Sequence, residues 1–400
     1  MANDVYVILG STFLESDEGE IAKKYLKNSI SVSNAVYERK LFAGFKENGA
    51  NAFFLSCPAL GYFPTSLKKT RIQGLASKDN LLCLSYNATL GLAALSKKRA
   101  FIRGLKKICR KYGGSRIHLI LCEAHKPYLD VAEYGKKKRL IADATMLLPD
   151  LPEHNIRSAN PLYRYLKAKN VASIYKKIDE YVDCLVFFTK PMIGRFNLAK
   201  KRYIVAEGLS SGAARSSKQQ GDGGLEKHIV FIGKLDERNG VGLLADVAKA
   251  MKGEDVVFDL YGVGGTGLEA MEIASSGNLV VHGFLKPSEV KDVLSQAAIL
   301  VSPRFSKEEY TKYSFPSKLF DYLEAFKPIV TFKLGSYPDD LDHMLYYPES
   351  ETSEALRQAI EQVLQDDCLA KTRSEDYSAF LARYDKKAVA KVIIDLIGGR

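Results

Sequence analysis

At 400 residues the chain is too long for one ordinary core, so two domains are the natural expectation. Hydrophobic residues make up 46% and charged residues 26%, a globular composition, and no run of about 18 apolar residues is present to span a bilayer. The net charge of +11 is lopsided: residues 1–210 hold 35 Lys and Arg against 18 Asp and Glu, and the remainder 23 against 29, so only the first half is suited to an anionic partner.

Residues 1–20 lack the basic-then-apolar order of a secretory signal, which predicts a cytoplasmic protein. Cysteines 57, 83, 109, 122, 184 and 368 form no CxxC, in keeping with a reducing compartment and against a zinc cluster. Short runs rich in Val, Ile and Phe predict strands at 5–9, 51–56, 81–86, 117–122, 139–144, 184–189 and 203–206, with a helix over 31–48. The Gly- and Ser-rich stretch 210–224 has no apolar periodicity and reads as a flexible connection. A second series follows: strands at 228–233, 256–262, 278–283, 298–303 and 328–332, with helices over 241–251 and 287–297. Residues 388–397 read as a final amphipathic helix. Strands alternating with helices predict two doubly wound parallel sheets, with ligands in the cleft at the carboxyl ends of their strands.

The stretch KYSFPSKLFDYLEAFKPIVTF, residues 312–332, places Ser, Lys and Asp on one side of an apolar helix between Pro316 and Pro328. Proline suits the first helical position, and the amide groups of Ser317 and Lys318 at a helix N-terminus suit a phosphate. Asp321, one turn past Ser317, is placed to accept hydrogen bonds from ribose hydroxyls. An ordinary buried helix with a solvated lysine explains the same spacing.

YSFPSKLFDYLEAFKPIV resembles the donor-binding segment of the retaining glycosyltransferases of family 4, which have the GT-B fold. HIVFIGKLDERNGVGLLADVAKAM (228–251), VVFDLYGVGG and NLVVHGFLKPSEVKDVLSQAAILVSPR follow that family's order, whereas YGVGGTG (261–267) alone is a weak signal. In the first half PDLPEHN (149–155), TKPM (189–192) and IVAEG (204–208) resemble a bacterial polysaccharide-assembly branch. The resemblance implies two Rossmann-like domains. Residues 1–208, with a C-terminal helix in 379–400 packing back, would take a sugar or lipid-linked acceptor. Residues 209–378 would hold a nucleoside diphosphate sugar, UDP-linked by preference, with no separate cofactor.

Residue by residue, the resemblance puts Lys234 and Lys318 at the diphosphate, Arg238 nearby because Asn239 occupies the second basic position, and Asp321 at the ribose. It puts the backbone of His282, Gly283 and Phe284 at the nucleobase. The first acid of the family's Glu-x7-Glu pattern falls at Tyr313, so the donor sugar is not readable by analogy. Asp150 stands where the family often has a His-Asp pair, with Pro149 replacing the His. His125, with Glu123, follows the 117–122 strand as a catalytic candidate, although a lone His there is more often structural. Gly10 would let the donor approach the backbone, or is a simple turn glycine. No Asp-x-Asp pair or His/Cys cluster sits where a metal could bridge the phosphates, so no metal is expected.

Residues 96–112 carry eight Lys and Arg and no acid, with Phe101, Ile102, Leu105, Ile108 and Tyr112 at helical spacing. With GKKKR (135–139) this face would attract anionic lipid headgroups, giving peripheral attachment at the inner face of the cell membrane. No aromatic-interleaved motif supports nucleic-acid binding. The expectation is a retaining, metal-independent sugar transfer in cell-surface polysaccharide synthesis. A sugar-nucleotide epimerase, or a non-catalytic nucleotide-sugar or polyanion-binding protein of the same fold, are the alternatives.

Overall fold

A computed structural model describes residues 4–27, 33–155, 161–210, 227–264, 277–286 and 288–399. Most of the connection expected at 210–224 and the end of YGVGGTG lie outside these residues. The chain divides into two compact units, Met1–Leu209 with Lys386–Arg400, and Ser210–Asp385.

The first unit is built on strands β1 (Asp4–Gly10), β2 (Asn51–Ser56), β4 (Leu81–Cys83), β6 (Arg116–Leu121), β7 (Asp143–Leu148), β8 (Cys184–Phe187) and β9 (Arg202–Val205). They form one parallel sheet in the order β4-β2-β1-β6-β7-β8-β9. Arg71–Ile72 (β3) and Tyr86–Asn87 (β5) make a separate antiparallel ribbon. Helices α1 (Glu18–Tyr25), α2 (Ser33–Glu47), α3 (Ala93–Lys111), α4 (Lys126–Lys137) and α5 (Pro161–Tyr181) accompany the sheet. Val5–Gly10, Ala52–Ser56 and Ile117–Leu121 are buried throughout, as expected where helices cover both faces of a parallel sheet. The strand order reverses beside β1, whose neighbours are β2 and β6.

The second unit has β10 (Lys227–Ile232), β11 (Val256–Tyr261), β12 (Leu279–Gly283), β13 (Ile299–Ser302) and β14 (Ile329–Thr331) in the order β12-β11-β10-β13-β14, again parallel. Among the described residues its helices are α6 (Val241–Ala250), α7 (Val290–Gln296), α8 (Lys318–Glu324), α9 (Ser353–Gln365) and α10 (Asp367–Arg383). Its order reverses between β10 and β13. The last helix, α11 (Lys386–Gly398), belongs to the first unit. Gly44 of α2 lets it close in, because a Cβ there would stand 2.1 Å from the Lys386 carbonyl. Val389, Ile393, Leu396 and Ile397 are buried with Leu41, Phe42 and Phe45, each such side chain stabilising by about 1.5–3 kcal/mol.

Three expectations shift. The strand predicted at 139–144 is β7, at Asp143–Leu148, because the preceding residues end α4: Leu140 N–H donates to Gly135 O at 2.8 Å and Arg139 takes a positive φ of 52°. The C-terminal return was expected from 379, but it begins at 386. Phe380 and Leu381 are buried in the second unit beside Phe320, with Tyr384 packed against them, so the end of α10 stays there. The helix after Pro316 begins at Lys318, with Ser317 as its N-cap and Pro316 O closing the entry turn onto Leu319 N–H at 2.9 Å.

Candidate functional site

Each sheet offers one site where parallel sheets bind ligands, at the carboxyl ends beside the strand reversal. In the second unit, β10 ends at Ile232 and leads into Gly233, Lys234 and Leu235. Two glycines make that turn possible. A Cβ on Gly262 would lie 1.7 Å from Gly233 O, and one on Gly240, at φ 70°, would lie 2.1 Å from Pro303 O. Asp236 N-caps the short turn Glu237–Asn239, accepting from Asn239 N at 3.2 Å and from its Nδ2 at 2.8 Å. The exposed Lys234 ammonium lies 2.9 Å from Asp236 Oδ2. Arg238 is exposed, and its carbonyl accepts Phe305 N–H at 3.3 Å, tying this loop to the one after β13.

Lys318 and Asp321 face each other on α8, Nζ to Oδ2 at 3.2 Å. Ser317 makes no side-chain cap. The start of α8 is held by Tyr322, a buried residue that sequence reasoning missed: its hydroxyl accepts Ile232 N–H at 2.8 Å and donates to Val301 O at 3.2 Å. Burial holds that phenol protonated well above its usual range. Its signal was its place on the helix beside the buried Leu319 and Leu323.

The His282 side chain is engaged within the second unit. Its Nε2 lies 2.6 Å from Asp259 Oδ1 while its ring stacks on Tyr261, centroids 4.3 Å apart; Asp259 Oδ2 also meets His228 Nδ1 at 2.6 Å. Gly283, at φ 76°, already accepts Gly262 N–H at 2.7 Å through its carbonyl. Phe284 is 55% exposed, so a large apolar ring stands open to a flat ligand.

In the first unit the space over Gly10 is occupied. A Cβ there would meet Phe54 at 2.5 Å and the Glu38 carboxyl at 2.7 Å, so the glycine makes room for Glu38 and not for a donor. Glu38 is buried and accepts Ser11 N–H at 2.8 Å and Ser11 Oγ at 3.3 Å. Burial raises its pKa to about 8, against the opposing pull of Ser11. Its spacing of three, four and seven residues from Leu41, Phe42 and Phe45 was the overlooked sign that it faces inward.

Across the strand reversal, Glu123 and His125 follow β6. His125 N-caps α4, packs edge-on against Tyr128 at 5.2 Å, and its buried Nδ1 has no hydrogen-bond partner. Burial, with help from the Lys97 charge, lowers its pKa to about 4, so the imidazole is neutral at pH 7. Burial raises Glu123, with Lys97 opposing and Asp150 reinforcing the shift. The Lys97 charge thus acts on both Glu123 and His125, and that of the exposed Asp150 on Glu123, whereas Gly10 makes room for Phe54 and Glu38.

Lys97 was expected on the solvated basic face. It is instead half-buried, lies over the Tyr86 ring at 4.8 Å, and burial lowers its pKa. It shares the inward stripe of α3 with Phe101, Gly104 and Ile108. Arg103, Lys107 and Arg110 of that helix are exposed. The 135–139 cluster is less free than its sequence suggests, because Lys136 pairs with Asp183 at 2.7 Å and Lys137 with Glu133 at 2.6 Å.

Two doubly wound parallel units with these strand orders are the GT-B architecture. Residues 226–366 match the family of glycosyl transferases group 1. The chain also aligns over 99% of its length, and 98% of the other chain, with sucrose-phosphate synthase from Thermosynechococcus elongatus, at 15% identity and a TM-score of 0.65. Anabaena HepE in complex with UDP matches at 12% identity and a TM-score of 0.61, with each chain covered completely. A point mutant of S. aureus TarM, in a complex that includes UDP, matches at 10% identity and a TM-score of 0.59 over 98% of this chain and 99% of that one. No curated protein sequence matches.

Proposed function

We propose that the chain transfers a sugar, with retention, from a nucleoside diphosphate sugar to a glycan or lipid-linked acceptor in cell-surface polysaccharide synthesis. The match of residues 226–366 to the glycosyl transferases of group 1 carries this reading, since that span includes Lys234, Arg238, Lys318 and Asp321. UDP is the favoured leaving group, because HepE and TarM were each crystallised with it. In this reading Lys234, Arg238 and Lys318 stabilise the departing diphosphate and Asp321 holds the ribose. These cations supply the positive charge at the phosphates, so the donor binds without a divalent metal. Glu123, His125 and Asp150 face the acceptor. The attacking acceptor hydroxyl gives its proton to the departing diphosphate as its oxygen bonds to the sugar, and the neutral imidazole accepts a hydrogen bond from a different hydroxyl of the acceptor.

The exposed cations of α3 suit an anionic bilayer that presents a lipid-linked acceptor, which would place the enzyme at the inner face of the membrane. A panel of UDP-, GDP- and dTDP-sugars tests the proposal, first by thermal shift and then by nucleotide release with and without glycan acceptors. The expected result is stabilisation by one UDP-sugar and acceptor-dependent release of UDP, with the anomeric configuration of the product matching the donor. Release unaffected by any acceptor, or an inverted product, would overturn it.

A further inference from the structure

The cations that the sequence assigns to the diphosphate are not equally available. Lys234 is already paired with Asp236 at 2.9 Å, and Lys318 with Asp321 at 3.2 Å. Two guanidiniums in the same unit have no such partner. Arg304, two residues past the end of β13, lies over the Tyr310 ring at 4.7 Å, and Arg238 lies over the same ring at 6.0 Å. Among the described residues, no carboxylate lies within 4.0 Å of either. Arg304 is half-buried, and its Nε is wholly buried without a hydrogen-bond partner.

The loop that carries the ring is fixed by its own bonds. The buried Thr311 donates its hydroxyl to Glu308 O at 2.7 Å, or to Ser306 O at 3.0 Å, and Ser306 N–H is held by Glu351 at 2.6 Å. Arg304 is partly withdrawn from water over an aromatic face, with its buried Nε unpartnered and no counter-ion beside it, and this costs free energy that an incoming anion offsets. Arg238 and Arg304 follow β10 and β13, the two strands flanking the reversal of the second sheet, where ligands of such sheets sit.

We propose that Arg304, together with Arg238 on the Tyr310 ring, forms the anion seat of the second unit and takes the diphosphate of a nucleoside diphosphate. Lys234 and Lys318 then act in a supporting role. The choice of a diphosphate rests on the glycosyl-transfer reading; the seat itself rests on the unpaired guanidiniums. Arginine suits it because its planar fork meets two phosphate oxygens at once, which a lysine does not.

Calorimetry on the full chain tests this with two separate probes, UDP and inorganic pyrophosphate. Arg304→Gln should weaken both by about tenfold or more, the loss of one charge-assisted hydrogen bond. Arg304→Lys should fall between Gln and the parent, and Tyr310→Leu should weaken both probes as well. Lys234→Gln should cost less than Arg304→Gln. Parent-like affinity for both probes in Arg304→Gln and Arg238→Gln overturns the seat, and so does a parent that binds neither probe. If the parent binds UDP no better than pyrophosphate, yet Arg304→Gln still loses pyrophosphate, the seat stands and the nucleotide-sugar reading falls. Melting temperatures accompany each variant. Should Arg304→Gln fail to fold, the ranking of Arg304→Lys and Tyr310→Leu against the parent decides the matter.

Discussion

The Tyr322 hydroxyl sits between two strand ends, accepting the amide of Ile232 at 2.8 Å and donating to the carbonyl of Val301 at 3.2 Å. It ties α8, the helix that carries Lys318 and Asp321, to the ends of β10 and β13. Tyr322→Phe should leave a buried amide and a buried carbonyl short of a partner and destabilise the protein by about 1–3 kcal/mol. It should also weaken UDP binding, although the hydroxyl is committed to the backbone. Urea unfolding and calorimetry would show both effects, and an unchanged midpoint would remove Tyr322 from this role.

Asp321→Ala should weaken UDP more than inorganic pyrophosphate, because a ribose contact is absent from the second probe. The loss should be about 1.5–3 kcal/mol, the range for a hydrogen bond to a charged group. Equal losses for the two probes would mean that Asp321 acts only by orienting Lys318.

The Glu38 carboxyl, with a folded pKa of about 8 against an ordinary 4.5, carries a sign that pH can read. Below about pH 4.5 it is protonated whether the chain is folded or not. Between the two values the unfolded chain ionises it more readily, so stability falls as pH rises, and above about 8 the penalty is constant. Glu38→Gln keeps an acceptor for Ser11 and cannot ionise. Its stability relative to the parent should therefore grow from pH 5 to pH 8, as followed by thermal melts across roughly that range. Parallel pH profiles would show that Glu38 is not held protonated.

Anionic vesicles should sediment the protein and neutral ones should not, with attachment lost as salt screens the exposed charges. Replacing Arg103, Lys107 and Arg110 together by Gln should abolish sedimentation. Lys97→Gln should leave it unchanged, since that side chain is turned inward. Binding that survives the triple replacement would place the contact elsewhere.

Donor binding should be the same in EDTA as in Mg²⁺ or Mn²⁺, because arginine and lysine neutralise the phosphates. A strict metal requirement in calorimetry would refute this.

The strands were legible because parallel strands covered on both faces read as unbroken apolar runs, and β1, β2 and β6 are of that kind. The α3 stripe was legible for a similar reason, its Phe101, Leu105 and Ile108 recurring at helical spacing. What misled was charge. Lys97 belongs to the same stripe but stands among basic neighbours, so composition hid its inward direction, and Glu38 was obscured by Arg39 and Lys40. Arg304 follows a strand end, which position alone would have flagged, but its significance depends on a ring six residues later and on what fails to pair with it. β7 was placed too early because Leu140 and Ile141 are apolar residues of a turn. Gly10 shows the opposite error: an ordinary glycine after a strand invites a ligand, and only the fold reveals the carboxyl already there.

Because α11 follows the whole second unit in the chain yet completes the core of the first, synthesis and folding are out of step. The ribosome delivers the seven-stranded sheet and α2 early, but the apolar surface formed by Leu41, Phe42 and Phe45 waits for Val389, Ile393 and Ile397. During that interval the intervening residues 210–385, a self-contained piece, can fold on their own. A stop codon just before Lys386 would leave that apolar surface of the first unit uncovered.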